Sequence, residues 1–115
     1  MIKAPDLRLH PPRRGRELLG GYAFLGRMTD KIRAMHAGTI GDYVGYCEMS
    51  LAFLQKTAIT KDSFDALIAS GATDEEFVSF FDARVTAVQK SAVNAHVLVH
   101  FSDNLDEQEA DERSA

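Results

Sequence analysis

All three prolines of this 115-residue chain fall within its first 12 residues, and a Gly20-Gly21 pair follows soon after them. Proline lacks the amide hydrogen that a helix interior requires, and glycine weakens helices because it loses much backbone entropy. Residues 1–21 are therefore predicted to form an extended arm, and a regular helix can begin only beyond it. The apolar side chains expected to hold this arm against the rest of the domain are Leu7, Leu9, Leu18 and Leu19.

From Tyr22 onward, apolar residues recur every three or four positions, which is the spacing of one helix face. The predicted buried stripe consists of Leu25, Met28, Ile32 and Met35. This helix should end at Gly38, since glycine is favoured at helix C-termini. Residues 39–47 are predicted to form a loop or a short extended passage, and two short helices should follow, the second ending before Gly71.

Thr73 and Glu76 have the spacing of a capping box, which predicts that another helix begins there. Its buried side chains should be Phe77, Phe80, Phe81, Val85 and Val88. The helix is predicted to continue towards Val99, although residues 95–101 also alternate like a strand, so both alternatives stay open.

Residues 103–115 are acidic and polar, with Leu105 as their one sizeable apolar side chain. We expect a disordered tail, because so little apolar surface cannot offset the entropy cost of ordering it. Removal of the tail should then leave thermal stability nearly unchanged. The remaining residues, 1–102, are predicted to form one all-α domain with the arm packed on it.

The chain is 45% hydrophobic, and its length allows a core without metal or disulfide support. Its single cysteine, Cys47, has no partner for an intramolecular disulfide. No apolar run approaches the roughly 20 residues that span a bilayer, and the first residues lack the apolar segment of a secretory signal. We therefore expect a cytoplasmic protein with no membrane contact and no cofactor.

The charges are distributed unevenly along the chain. Residues 1–36 carry eight basic and three acidic side chains, a net charge of +5, whereas the remainder carries −9. A basic arm can bind nucleic acid or a membrane surface, but the pI near 5.5 and the lack of interleaved aromatic residues argue against nucleic acid. We interpret the asymmetry as two parts of one domain that face each other and neutralise their charges.

The first predicted helix places Arg27, Asp30, Lys31 and Ala34 on one face. Arginine forks onto a carboxylate or phosphate, and lysine adds a point charge. This face is therefore predicted to bind a small anionic ligand, with Asp30 as the base if the site is catalytic. The predicted binding residues are Arg16, Tyr22, Arg27, Lys31, Arg33 and Tyr43. In the alternative, the cations simply pair with carboxylates of the protein.

The Gly20-Gly21 pair, with three arginines just before it, is a second and weaker candidate for an anion site. His96 and His100 have the i, i+4 spacing of metal ligands, but a third ligand is missing, so no metal is predicted. Cys47 has no histidine or lysine next to it in the sequence, which argues against a catalytic thiolate. The alternative function is a non-enzymatic module for protein interaction or homo-oligomerisation, which an exposed phenylalanine patch at 77–81 would favour.

A series of short motifs runs from about Asp6 to Phe81. They are Asp6-Leu7-Arg8, Pro11-Pro12-Arg13, Arg16-Glu17, Leu19-Gly20-Gly21-Tyr22, Leu25, Arg27, Asp30-Lys31, Arg33-Ala34, Ala37-Gly38-Thr39, Gly41-Asp42-Tyr43, Cys47 and Gly71-Ala72-Thr73-Asp74-Glu75-Glu76. In this order the motifs resemble domain-of-unknown-function family 5069, a family of small bacterial proteins. The resemblance implies a small, mainly helical domain and no particular activity. In that family the cysteine is often followed by Pro-Leu-Asp, whereas Glu48-Met49-Ser50 follow it here.

Overall fold

The computed structural model describes residues 3–113, which fold mainly into helices. The six α-helices are α1 Leu25–Ala37, α2 Glu48–Thr57, α3 Lys61–Ala69, α4 Asp74–Arg84, α5 Ala87–Ala95 and α6 Ser102–Arg113. Within this described part, the only strands are the two-residue β1 Leu18–Leu19 and β2 Tyr22–Ala23, which pair antiparallel. The predicted all-α class is confirmed, and no helix of the described range is long and apolar enough to cross a membrane.

The core is an aromatic cluster that α1 and the four helices after it enclose. Its fully buried rings belong to Tyr22, Phe24, Phe53, Phe64, Phe77 and Phe81. The ring centroids of Phe64 and Phe77 lie 5.0 Å apart, within the range of favourable aromatic pairs. The predicted stripe of α1 is buried except for Met35, which lies against Gly45 in the following loop and stays 37% exposed.

Described residues of the arm contact the helices, and its leucines account for only part of the attachment. Leu7 is buried and Leu19 half-buried, whereas Leu9 and Leu18 are exposed. Polar contacts also attach the arm to α1. The backbone N–H of Arg13 donates to Asp30 at 2.9 Å, and the Arg13 guanidinium donates to the same carboxylate.

The Gly20-Gly21 pair forms the turn between β1 and β2. Both glycines have positive φ, 59° and 83°, as two-residue hairpin turns require. A Cβ on Gly20 would lie 2.5 Å from Val78, so a side chain does not fit there. The carbonyl of Gly20 accepts a hydrogen bond from Lys90 at 2.8 Å, and that of Gly21 accepts one from Asn94 at 2.8 Å. The turn therefore attaches the arm to α5.

The helix that begins after Thr73 ends at Arg84, so the predicted continuation towards Val99 is wrong. Val85 adopts an extended conformation, and a second capping box, formed by Thr86 and Gln89, begins α5. Because of this interruption, the Val88 side chain points towards solvent and is 79% exposed, whereas it was predicted to be buried. The Thr-x-x-Gln spacing is the sequence signal that could have located the break.

Helix and strand both stayed open for residues 95–101; residues 95–100 are helical, and Phe101 is a turn residue before α6. A π-helical turn, His96–His100, joins α5 to α6. The rings of His96 and His100 stack with their centroids 4.6 Å apart. Across residues 3–113, no group of three or more side chains could hold a metal ion.

The prediction of a disordered tail is wrong over residues 103–113, which belong to α6, while residues 114–115 lie outside the described range. Leu105 is fully buried, in a space that Gly15 leaves open by lacking a side chain. Arg16 donates to Asp106 at 2.8 Å and to Glu109 at 2.7 Å. Long-range ion pairs therefore supplement the small apolar contact of this helix.

Docking of α6 predicts that Leu105→Ala lowers the free energy of unfolding by about 2–5 kcal/mol, because it empties a buried site. The matched control is Leu51→Ala, since Leu51 lies on α2 and is 51% exposed; it should change stability by about 0.5 kcal/mol or less. Chemical denaturation measures both. Equally small effects in the two variants would contradict the docking of α6.

Candidate functional site

Basic side chains of the N-terminal third pair with carboxylates of the later helices, which confirms the interpretation of the uneven charge. The pairs, with their N–O distances, are Arg13–Asp74 (3.0 Å), Arg16–Asp106 (2.8 Å), Arg16–Glu109 (2.7 Å), Arg27–Glu112 (2.7 Å) and Arg33–Asp74 (2.8 Å). Two groups of ionic contacts result, one near the start of α4 and one along α6.

The first group contains Asp30, the candidate base. Both oxygens of Asp30 accept hydrogen bonds from the Arg13 guanidinium, at 3.1 and 2.9 Å. Asp74 accepts from Arg13 and Arg33, and Arg33 also donates to the Ala72 carbonyl at 2.9 Å. Burial raises the pKa of Asp74, but the hydrogen bonds from the two arginines outweigh it and lower the pKa. This group joins the arm and α1 to the start of α4.

The second group borders a cleft of about 390 Å³ between α1, the loop at residues 38–47 and α6. Its polar and charged lining is formed by Arg27, Lys31, Asp42, Tyr43, Cys47, Gln108, Asp111 and Glu112. Three larger clefts, of about 580, 560 and 440 Å³, also lie on the surface of residues 3–113; the first shares Glu112 with this cleft, and the third is lined by two glutamates and no basic side chain. The arginines of the first are half-buried or exposed, and the second contains Arg33, which is already paired with Asp74. The 390 Å³ cleft has two cations and three carboxylates, and it differs from the first two of these in that both of its cations are almost completely buried.

Arg27 is the first cation of the 390 Å³ cleft and is only 3% exposed. Its two terminal nitrogens donate to the two oxygens of Glu112, at 2.9 and 2.7 Å. Its guanidinium carbon lies 5.8 Å from the centre of the Tyr43 ring. The Nε atom of Arg27 is buried and has no hydrogen-bond partner among residues 3–113. Arg27 therefore binds the Glu112 carboxylate, and its Nε–H is a donor without a partner in residues 3–113.

Lys31 lies one helical turn after Arg27 and is only 4% exposed. Within the described part of the chain, its ammonium has one hydrogen-bond partner, Cys47 Sγ at 3.4 Å, and no carboxylate pairs with it. Burial lowers the pKa of Lys31, and the nearby charge of Arg27 lowers it further, while Cys47 acts in the opposite direction. A buried ammonium is costly unless it is paired, so this position favours the arrival of a negative charge.

Cys47 is the residue at which α2 begins, and its sulfur contacts polar groups on both sides. Lys31 Nζ lies 3.4 Å from the sulfur, and a hydrogen bond of 3.3 Å links it to the Ser50 hydroxyl. Burial raises the pKa of the Cys47 thiol, but the charge of Lys31 and hydrogen bonds from Ser50 outweigh it, so the pKa is lowered. The sequence argument against a thiolate considered only neighbouring positions, whereas Lys31 approaches the thiol from α1, 16 positions away.

Of the residues predicted to form the site, Arg27, Lys31 and Tyr43 line the same cleft. The other four lie elsewhere: Arg16 pairs with α6, Tyr22 is buried and donates to Asp82 at 2.8 Å, and Asp30 and Arg33 belong to the first ionic group. Sequence reasoning missed Cys47, Gln108 and Glu112. No local signal marks the last two, since their positions depend on the docking of α6.

Comparison with known proteins gives a family and no activity. No match is found among curated proteins. Residues 9–115, nearly the whole chain, match the family described as Domain of unknown function (DUF5069). This match confirms the resemblance seen in the sequence motifs, and the chain belongs to the DUF5069 family.

Proposed function

We propose that this protein binds a small anion, carrying a carboxylate or phosphate group, in the cleft between α1, the 38–47 loop and α6. Arg27 and Lys31 are the cations that hold it, and Tyr43 forms part of the wall. The observation that carries the proposal is the Lys31 ammonium, which is almost completely buried and hydrogen-bonds only a thiol within residues 3–113. Because an unpaired buried charge is costly, a bound anion would recover the energy lost there.

Arg27 and Lys31 are placed to bind a single anionic group together and not one anion each. Arg27 and Lys31 lie at positions i and i+4 on α1, so their charges are neighbours and repel each other. Glu112 forms a close ion pair with the first of them, and its charge acts on Lys31 without such a pair. A carboxylate or phosphate has several acceptor oxygens, so one such group can accept from the Lys31 ammonium and, in place of Glu112, from the Arg27 guanidinium.

Glu112 acts in this proposal as an internal competitor of the ligand. It holds Arg27 with both carboxylate oxygens, as an external carboxylate would. It lies two helical turns after Leu105, which anchors the helix in the core, so the Glu112 side chain can move aside without disturbing that anchor. Ligand binding would then weaken the hold of α6 near its end.

The proposed site excludes Arg16, Tyr22 and Arg33, because each of them is occupied by protein partners outside the cleft. It also excludes Asp30 as a base, since both of its oxygens accept hydrogen bonds from Arg13. An interaction module gains no support from residues 77–81, where Phe77 and Phe81 are fully buried. Homo-oligomerisation stays a prediction.

The first test compares Lys31→Gln with Lys56→Gln, a matched control that removes the same charge from an exposed position of α2 outside the cleft. Calorimetric titration at fixed ionic strength uses sulfate, inorganic phosphate and a panel of small organic acids. Lys31→Gln should weaken binding at least about tenfold, or roughly 1.4 kcal/mol, while Lys56→Gln leaves it unchanged. Equal losses in the two variants, or no binding by the unmodified protein, would contradict the proposal.

The second test uses Glu112→Gln, which removes the competing charge from Arg27. Anion affinity should rise by a factor of about 3 to 10, and the free protein should lose about 1–3 kcal/mol of unfolding free energy, because Arg27 stays buried without a counter-charge. Glu107→Gln is the control, since Glu107 is exposed on the same helix and does not line the cleft. An affinity that falls in Glu112→Gln would instead make Glu112 part of the ligand-binding surface.

The third test is the pH dependence of sulfate binding, since sulfate keeps its charge throughout the range. Affinity should decline as the pH rises through the pKa of Lys31, which burial holds below the ordinary lysine value of 10.5. Both measurements use the Cys47→Ser background, because the neighbouring thiol, whose pKa is lowered, would otherwise add a negative charge in the same range. In that background Lys31→Arg keeps its proton throughout, so its affinity should stay constant. An identical decline in both proteins would assign the pH dependence to another group.

A further inference from the structure

We propose that Cys47 is a nucleophile, which forms a covalent bond with an electrophile whose carboxylate or phosphate group is held by Arg27 and Lys31. The inference rests on the proposed function, because the same two cations recognise the anionic group. It adds a reaction at the thiol and therefore a second chemical requirement, an electrophilic carbon within reach of the anion.

The surroundings of the Cys47 sulfur are those of a reactive thiol and not of a structural one. Structural cysteines are usually surrounded by apolar side chains and inert. Here the sulfur is half-buried, borders the cleft, and lies 3.4 Å from the Lys31 ammonium and 3.3 Å from the Ser50 hydroxyl. It also stands at the beginning of α2, where the free N–H groups of the first turn stabilise negative charge.

A second observation next to this thiol is that two of the residues that line the same cleft each carry a buried polar atom without a partner in the described part of the chain. Arg27 Nε and Gln108 Oε1 are buried and have no hydrogen-bond partner in residues 3–113. More than nine-tenths of buried polar groups in proteins are partnered, so each unpartnered atom calls for an explanation. A molecule with an anionic group and a second polar group satisfies both the donor and the acceptor.

The step balances with the groups at hand. The thiolate of Cys47 gives an electron pair to the electrophilic carbon, so that a C–S bond forms. The bond between that carbon and its leaving group breaks, and the leaving group departs with the electron pair. The Lys31 ammonium supplies a proton to it, so one negative and one positive charge disappear together.

Iodoacetate and iodoacetamide test the inference, because they share the reacting carbon and the iodide leaving group and differ in charge. Cys47 is the only thiol of the chain, so intact-protein mass spectrometry follows its alkylation directly. We expect the ratio of the iodoacetate to the iodoacetamide rate constant to be at least about tenfold higher in the folded protein than in the same chain unfolded in urea. An equal ratio in the two states overturns the inference, even if both reagents react quickly.

Variants and competition identify the groups responsible. Lys31→Gln should lower the ratio towards that of the unfolded chain, and Lys56→Gln should keep it. Sulfate should slow the reaction of iodoacetate with the unmodified protein, compared with chloride at equal ionic strength, and this arm needs no substitution. A preference for iodoacetate that neither Lys31→Gln nor sulfate reduces would overturn the role of the two cations.

Sulfate titration of Cys47→Ser separates this inference from the proposed function. If Cys47→Ser binds sulfate and the folded protein shows no preference for iodoacetate, the nucleophile is wrong and anion binding stands. If neither Cys47→Ser nor the unmodified protein binds sulfate, the proposed function fails, and the inference fails with it.

Discussion

Ion pairs between the basic N-terminal third and the acidic helices determine how this domain closes. Asp74, at the start of α4, forms ion pairs with one arginine of the arm and one of α1. Three carboxylates of α6 form ion pairs with Arg16 and Arg27. The second set matters most for the proposed site. Helix α6 has one fully buried residue, Leu105, and its remaining attachment is largely ionic. The cleft exists because these pairs hold α6 beside α1, and its wall is therefore sensitive to charge.

One buried cation, Lys31, has no carboxylate partner within residues 3–113, and the proposed function depends on this cation. Lys31 is as deeply buried as Arg27, but Arg27 has Glu112 and Lys31 has a thiol. A protein under selection for stability alone has little use for such an ammonium, since an apolar side chain in the same space is often neutral or stabilising. The proposed anion binding would give the Lys31 ammonium a role, and so would a reaction at the neighbouring thiol, whose pKa is lowered.

Local sequence signals predicted most of the helices. The stripe on α1, its end at Gly38 and the capping box at Thr73 depend on neighbours within one or two turns, and each was found where expected, except that Met35 of the stripe is exposed. The break before Thr86 was missed although it has a local signal of the same kind. Helix α6 could not be predicted in this way, because its composition is that of a disordered tail and its partners, such as Arg16, lie about ninety positions away.

The candidate site likewise contains residues that the sequence predicted and residues that it did not. Helical spacing placed Arg27 and Lys31 on one face, and the structure brings both to the cleft. Spacing gave no indication that Glu112 would pair with Arg27 or that Cys47 would lie beside Lys31, since both contacts arise from chain segments that return to α1.

The most direct measurement of the central claim is a titration of Lys31 itself. NMR can monitor the side-chain methylene next to its ammonium, and comparison with Lys31→Arg assigns the signal. The account predicts that saturating sulfate raises the pKa of Lys31, because a bound anion stabilises the charged form. Superimposable titration curves with and without sulfate would contradict it.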